Sequence, residues 1–550
     1  MVLIALSGCD GSGKTTIATS LDNILRRYGV KAKYRREFEY FLLKYLLKLL
    51  GSKVEIERKK FLKKDGNASP ADHLKYKLWP FLVWLDSNLE IAYLKLFNRS
   101  LIIFDRSIVD HLAGFEYLKY INRNTRNLLL KYSLKPGLII VLDAPPEVMY
   151  ERKKETHDYR LDFYREQRER YLDMAMELKV PIIRTDKSLD ESLRETLQHI
   201  LLRFGKKEDI VLHALSDPLG SSDGDSLSKL LKNIDWDELD LRYLIVEASK
   251  NNVEYPFYER LHSKLSNCIV RKALRVIELK YQKFLKVLTT VTELFEKSGI
   301  DYVVFKTISS YKYLPRDIDV LVGKEDFKKA MNLLVSKGFK LTKTHTMHKE
   351  ISLVKNEVEI DLHLQIGWMG SRVIDENLIL HNYSDYKVGD TTVRIPNPTH
   401  EFLLLSAHAI LQHHYVTLGE VHYARALIKN YDIDWDLVFS LACKHRFYKG
   451  LTSFILLVVS KDVLFYGANI EEKISNIYKP HLMTNPIALS FTEILKPVTW
   501  LGFRSLQLSN ILNFMDMIIT ICRRLRHSLI GLLPYNEPLR EILSLFARGS

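Results

Sequence analysis

Residues 1–16, MVLIALSGCDGSGKTT, decide the fold of the N-terminal part of this chain. Val2 to Ala5, with Leu6, is an unbroken apolar run of the kind that forms a buried parallel strand. It passes directly into Gly8-Cys9-Asp10-Gly11-Ser12-Gly13-Lys14-Thr15, with Thr16 behind it, and this fits G-x-x-x-x-G-K-[ST]. The glycines let backbone N–H groups turn inward around a phosphate with no Cβ in the way. A helix starting near Lys14 directs its positive end at the same anion. Lys14 adds charge for the β- and γ-phosphates, and the Thr15 hydroxyl is the expected Mg²⁺ ligand. The stretch reads as a nucleoside triphosphate site.

The rest of the chain sets the scale. A length of 550 residues points to two or three domains rather than one core. A net charge of +14 suits a protein that handles phosphates or nucleic acid, and equally a lysine-rich solvated surface. The four cysteines, Cys9, Cys268, Cys443 and Cys522, have neither zinc-site spacing nor the density of a disulfide framework, which points to a reducing interior. The N-terminal strand and glycine loop do not have the plan of a signal peptide. Residues 451–459 are too short to span a bilayer, and 517–533 are interrupted by Arg523, Arg524, Arg526 and His527. A soluble, cytoplasmic protein is expected.

Beyond the loop, Ile17, Leu21, Ile24 and Leu25 form a helical stripe that stops near Gly29. Further strands are predicted at Val30–Tyr34, Leu101–Phe104, Leu138–Leu142 and Ile182–Thr185, with helices at 38–50 and 71–97. Pro145-Pro146 ends the fourth strand and starts a helix at Glu147. Strands alternating with helices give an α/β fold: a parallel sheet covered by helices on both faces. Ligands of such sheets sit at the carboxyl ends of the strands, where Gly8, Glu37, Asp105, Asp143 and Asp186 all fall.

Taken together, Gly8-to-Thr16, Phe104-Asp-Arg106, Val141-Leu-Asp-Ala-Pro-Pro-Glu-Val148, Glu151-Arg-Lys153 and Asp162-Phe-Tyr-Arg-Glu-Gln-Arg-Glu-Arg-Tyr171 resemble the thymidylate kinase family over nearly all of residues 1–205. The resemblance implies phosphoryl transfer from ATP, with Mg²⁺, to a nucleoside monophosphate, dTMP first. By position, Gly8, Asp10, Gly11, Ser12, Gly13, Lys14, Thr15 and Thr16 would bind the donor. Asp105 would join Thr15 near the metal, Arg106 would contact phosphate, and Glu37 would face the acceptor. Arg152, Lys153 and Arg160 would belong to a lid, although a solvated helix face is the plainer reading of the first two. Loose phosphoryl transition states are stabilised by such positioned cations. The sequence departs from the family on the acceptor side. Asp86-Ser87 stands where the family has Asp-Arg, Arg36-Glu37-Phe38 where it has Arg-Glu-Pro, and its Ser and Tyr-Gln are not evident in Asp110-His111 or Phe115-Glu116. Phe104-Asp105-Arg106-Ser107 also resembles the Glu-Arg-Ser segment of deoxynucleoside kinases.

Ser216 to Gly224 is a turn-rich linker, and residues 226–298 are helical in pattern. The texture then changes. Strands are predicted at Tyr302–Phe305, from Arg316 to Val322, at Glu350–Val354 and at Glu357–Leu364, with a helix at Lys324–Lys337. Asp317 and Asp319 open a β-run, so their carboxylates share one side, and Asp361 sits on a later strand with Glu359 and His363 on its face. Clustered carboxylates repel unless cations bind, and two Mg²⁺ ions are the natural partners. An Arg316–Asp pair on a strand edge is the plainer alternative. The Asp-x-Asp triplets at 235/237, 432/434 and 434/436 open helices and read as caps.

Asp317-Ile-Asp-Val-Leu-Val322 with Val358-Glu-Ile-Asp-Leu-His363 resembles the nucleotidyltransferase superfamily related to DNA polymerase β, most nearly an uncharacterised branch, over roughly residues 226–460. The Pro396-Asn-Pro-Thr-His-Glu-Phe402 helix entry fits that branch as well. The resemblance implies that Asp317, Asp319 and Asp361 are metal ligands. It also implies a Gly-Ser or Lys-Gly turn for the triphosphate, at which this chain has Phe305-Lys306-Thr307. His408, His413, His414 and His422 read as packing residues, and 510–533 as a packing helix, basic at one end.

The expected organisation is a kinase-type domain at 1–205, a linker at 206–225, helices at 226–298, an α+β nucleotidyltransferase-like core at 299–400 and a helical region at 401–550. ATP and a nucleotide or nucleoside acceptor are the expected partners; nucleic acid and a homodimer stay open. So do three alternatives: a deoxynucleoside kinase, a nucleotidyltransferase acting on protein, RNA or a small molecule with the first domain as an ATP-dependent regulator, and a nucleic-acid-binding or toxin–antitoxin-type protein.

Overall fold

The computed structural model describes residues 2–27, 30, 32–36, 40–49, 70–98, 100–156, 159–219, 231, 236, 238–264, 268–345, 350–368, 371–372, 374–413, 415–445, 447–466, 470, 473–474 and 491–500. Glu37, most of the 216–224 linker, Asp235, Asp237, His414 and the 510–533 segment lie outside them. The chain divides into two compact units. The first is 1–210 with 224–237 and 488–496; the second is 211–223 with 238–487 and 497–550.

In the first unit the elements run β1 (Leu3–Ser7), α1 (Lys14–Arg27), β2 (Ala32–Arg36), α2 (Leu43–Leu49), α3 (Pro70–Phe97), β3 (Leu101–Asp105), α4 (Ile108–Tyr117), α5 (Arg123–Tyr132), β4 (Leu138–Asp143), α6 (Pro146–Lys153), α7 (Leu161–Leu178), β5 (Ile182–Arg184) and α8 (Leu189–Phe204). The five strands are all parallel, in the order β2-β3-β1-β4-β5. Every residue of β1, β3 and β4 is buried, as a sheet covered on both faces demands. Leu3, Ala5, Ile102, Phe104, Ile139 and Val141 pack with Val83 of α3, Leu112 of α4 and Tyr171 and Met174 of α7. Alternation turns Ile4, Leu6, Ile103 and Ile140 to the opposite face. The strand order switches at β1, so the carboxyl ends of β1 and β3 open a crevice there.

The second unit begins inside the helix α9 (Lys207–Ser216) and continues through α10 (Leu241–Lys250), α11 (Glu254–Lys264) and the long α12 (Cys268–Lys297). Then come β6 (Tyr302–Phe305), β7 (Asp317–Val322), α13 (Phe327–Ser336), β8 (Lys340–His345), β9 (Glu350–Lys355), β10 (Val358–His363), β11 (Tyr383–Val388) and β12 (Thr391–Pro396). Helices α14 (Pro398–Ala407), α15 (Leu418–Asn430), α16 (Trp435–Lys444) and α17 (Tyr448–Lys461) follow. The sheet order is β6-β7-β10-β9-β8, with β7 and β10 parallel and the other pairs antiparallel. Strand β8 is missing from the sequence reading because Lys340-Leu-Thr-Lys-Thr-His345 shows no apolar alternation; it is an edge strand with lysines outward. Asp434 caps α16, accepting from Leu437 N–H, as expected of the 434/436 triplet.

A buried ionic group ties α9 and Asp217 to the C-terminal helices of this unit. Fully buried Arg425 donates to Asp217 at 2.6 Å and to Asp462 at 2.7 Å, and stacks over the Tyr466 ring at 3.8 Å. His422 Nε2 lies 3.1 Å from Ser216 Oγ, and His213 Nδ1 lies 2.7 Å from the Tyr466 hydroxyl. These groups are sealed in, so the pairing serves the fold. Burial pushes the His422 imidazole down to about 3. The unfolded chain takes up that proton near pH 6.5 and the native state does not, so stability falls below pH 6.5. The slope is about 1.4 kcal/mol per pH unit. In thermal melts, the loss between pH 7 and pH 5 should be about 2 kcal/mol smaller in His422→Gln than in the wild type.

Candidate functional site

The loop after β1 follows its sequence closely. Gly8 has φ +152°, and a Cβ there would lie 2.3 Å from Leu142 O. Gly11 has φ +86°, and its Cβ would meet Met149 O at 2.6 Å. Both positions need glycine for conformation and for space. Lys14 opens α1 and is nearly buried; its Nζ donates to Gly8 O at 2.6 Å and Cys9 O at 2.8 Å. Burial, and then the nearby Arg106 guanidinium, lower its pKa. The Thr15 hydroxyl donates to Asp105 Oδ2 at 2.7 Å, and Tyr34 of β2 donates to the same oxygen at 2.8 Å. Arg36 Nε is 3.9 Å from that oxygen. The other oxygen, Asp105 Oδ1, is buried without a hydrogen-bond partner. A hydroxyl beside such a carboxylate is a donor set that fits Mg²⁺.

Arg106 follows with φ +94°, an uncommon conformation for a side-chain-bearing residue, and donates to Asp10 at 2.6 Å. Ser107 caps α4 and exchanges a capping box with Asp110. Asp110 also accepts Tyr171 OH at 3.0 Å, and burial raises its pKa. Arg152 of α6 reaches over the loop, donating to Gly11 O at 3.0 Å and Thr185 O at 2.7 Å. Arg106, Asp110, Arg152 and Tyr171 line a cavity of about 740 Å³. Its wall carries Gly11, Lys14, Thr15, Thr16 and Lys153 as well as the rings of Tyr40, Trp79, His111, Phe115, Tyr117 and Phe163.

Lys14, Thr15, Asp105, Arg106 and Arg152 are therefore brought together. Arg160 is not: it is exposed at the N-cap of α7 and is absent from the cavity wall, where Tyr159 and Phe163 stand. Asp86 has a role the sequence did not reveal. Its carboxylate accepts the N–H groups of Phe41, Leu42 and Leu43 at 2.6, 2.7 and 2.9 Å, anchoring the start of α2. Tyr34 and Tyr171 were likewise illegible, since their partners lie 71 and 61 residues away.

The second unit gathers the predicted acids. Parallel pairing sets Asp319 opposite Asp361 and Asp317 opposite Glu359. The tightest group is Asp319, Asp361 and His363, whose ligand atoms all lie within 4.8 Å of one another. His363 joins Asp319 and Asp361 in this group, and period-2 alternation from Asp361 was the signal for it. His363 Nε2 is 2.8 Å from Asp319 Oδ1, and Lys306 Nζ is 3.1 Å from Asp319 Oδ2. Burial tends to raise Asp319, but Lys306 and His363 outweigh it and hold it low. Burial and the Asp319 charge push Asp317 up to about 7. Burial first, with Asp319 adding to it, raises Asp361 to about 6. Asp361 Oδ1 is buried without a partner, an orphan oxygen that fits a divalent cation. Arg316 turns away to Asn252 Oδ1 at 3.0 Å, so the Arg316–Asp pair does not form. Among the described residues no other group of three or more His, Cys, Asp or Glu is arranged for a metal, and His408 and His422 belong to none.

Comparisons with known proteins divide along the same lines. Residues 237–460 match a family described as an uncharacterised nucleotidyltransferase. The probable thymidylate kinase of Archaeoglobus fulgidus is 29% identical over 207 residues, covering 37% of this chain and 96% of that relative. The probable thymidylate kinase of Sulfolobus acidocaldarius is 28% identical over 203 residues, covering 36% and 94%. A crystal structure of thymidylate kinase from Ehrlichia chaffeensis matches 36% of this chain and 97% of its own, at 20% identity and a TM-score of 0.25. The chain thus fuses an N-terminal thymidylate-kinase-like region to a nucleotidyltransferase-like segment at residues 237–460.

Proposed function

We propose that the first unit transfers the γ-phosphoryl group of ATP to a nucleoside monophosphate, with dTMP the first acceptor to test, and that it does so in the cytoplasm. The arrangement that carries this reading is Lys14 and the Thr15–Asp105 pair at the mouth of the glycine loop. The loop N–H groups and Lys14 would hold the donor phosphates once the ammonium leaves Gly8 O and Cys9 O. Thr15 and Asp105 would hold Mg²⁺, which when bound supplies charge that steadies the β- and γ-oxygens. Arg106 and Arg152 then stabilise charge spread over the transferring group. Arg152 already bridges the loop and Thr185, and closure of a lid around it would exclude water.

The change of the family arginine to Ser87 favours a second acceptor reading, a nucleoside that brings no phosphate to be held. Purified protein with γ-labelled ATP, dTMP, other monophosphates and nucleosides separates the two. Lys14→Ala is expected to lower turnover about 10²–10³-fold with the melting temperature preserved. An unchanged rate removes the assignment.

For the second unit we propose nucleotidyl transfer, with Asp319, Asp361 and His363, and Asp317 beside them, holding divalent cations. Transfer of α-label from ATP to protein, RNA or a small molecule tests it. Label arising there with no γ-transfer to any nucleotide would make the P-loop unit a regulator.

We also propose that the chain pairs with itself through α3. Between Lys77 and Phe97 ten positions are exposed; eight are apolar and the other two are lysines. The apolar set, Leu78, Phe81, Leu82, Leu85, Leu89, Tyr93, Leu96 and Phe97, is self-complementary about a point near residue 87. In an antiparallel two-fold pair Leu85 meets Leu89, Leu82 meets Tyr93, and Leu78 meets Leu96 and Phe97 of the other copy. The set exposes on the order of 900 Å², against the roughly 800 Å² each partner buries in a standard interface. Light scattering should give twice the chain mass for the wild type and a single chain for Leu85→Arg/Leu89→Arg. A monomeric wild type refutes the pairing.

A further inference from the structure

Both oxygens of Asp319 are engaged by nitrogen: His363 on Oδ1 at 2.8 Å and Lys306 on Oδ2 at 3.1 Å. The lysine is gripped by its backbone. It sits at φ +53°, a left-handed conformation that a side-chain-bearing residue keeps only when its surroundings enforce it. Its N–H donates to Glu401 Oε1 at 2.7 Å, and Tyr423 OH donates to the same oxygen at 2.6 Å. Thr307, next in the chain, donates to Phe305 O at 2.8 Å and accepts from Asp319 N–H at 3.3 Å. Glu401 is only 4% exposed, and its other oxygen, Oε2, has no hydrogen-bond partner. A buried carboxylate aimed at one backbone N–H is an expensive way to shape a turn. Nothing in the transfer chemistry proposed above requires it.

We propose that Lys306 is a resident counter-ion of the acid cluster, held on Asp319 by the grip of Glu401 on its backbone, and that it releases Asp319 when a divalent cation loads. This rests on the nucleotidyltransferase reading of the second unit. An ammonium and a divalent cation compete for one carboxylate, since like charges a few ångströms apart in a water-poor site repel strongly. Binding across Asp319 and Asp361 therefore requires the ammonium to swing off. The lysine stem allows this with the backbone fixed, because four rotatable carbons separate the charge from the turn. The displaced ammonium then lies beside the cluster, ready for the phosphate of an incoming nucleotide, so metal and nucleotide loading become coupled. Glu401 and Tyr423 are positioning residues that act through Lys306.

The test is Mn²⁺ binding to the nucleotide-free full chain, followed by the electron paramagnetic resonance of free Mn²⁺. Asp319→Asn identifies which bound Mn²⁺ belongs to this cluster. Lys306→Met, with Lys306→Gln as a second variant of different packing, is expected to bind Mn²⁺ about tenfold more tightly than the wild type, because the competing charge is gone. Glu401→Ala shifts affinity the same way by loosening the turn. Glu401→Gln keeps the wild-type value, since its amide oxygen still accepts the Lys306 N–H. Unchanged or weaker binding in both Lys306 variants overturns the proposal and leaves the metal-site reading intact. If Glu401→Gln behaves like Glu401→Ala, the positioning role falls. Equal Mn²⁺ binding by the wild type and Asp319→Asn removes the metal-site reading itself, and the counter-ion with it.

Discussion

A carboxylate taken out of water has to be met by donors or cations, and both units are built around that requirement. In the first, Asp105 ends β3 fully buried and is met by the hydroxyls of Thr15 and Tyr34, which ties the glycine-loop helix and the edge strand to one oxygen. Asp110 is met by Tyr171 and the cap of α4, and Asp143 by a two-pronged Arg168 at 2.7 and 2.8 Å. In the second, Asp319 is met by Lys306 and His363, while Asp217 and Asp462 share Arg425. Asp105 and Asp361 each keep an unpartnered carboxylate oxygen, whereas Asp217 and Asp462 share one guanidinium that is sealed from solvent.

The two units reach their sites by different backbone routes. The first uses a parallel sheet whose order reverses direction at β1, so loops diverge and leave a crevice at the strand ends. The second uses one parallel pair, β7 and β10, inside an otherwise antiparallel sheet. Parallel pairing is what puts Asp319 beside Asp361 with both side chains on one face. An antiparallel pair in another register would have scattered them.

The donor side of the first unit and the acids of the second were legible because their chemistry is local. A glycine at positive φ, a lysine at a helix start and carboxylates at i and i+2 of a strand are each fixed within a few residues. Arg160 stands at a helix N-cap outside the cavity wall, a place set by packing rather than by its immediate neighbours in sequence. Asp86 looked like half of an acceptor motif but is occupied by three N–H groups of the segment at residues 41–43.

The sequence by itself determined the phosphate loop, the alternation of strand and helix, and the carboxylate-bearing strands, since periodicity and glycine geometry are properties of short segments. The tertiary structure alone decided which charges meet. Tyr34 with Asp105, Lys306 with Asp319, Glu401 with the Lys306 backbone and Arg425 with Asp217 are separated by 71, 13, 95 and 208 residues. Their encounters follow from strand order and helix packing, which no local pattern encodes, and it is those encounters that leave some acids neutralised and others open to a ligand.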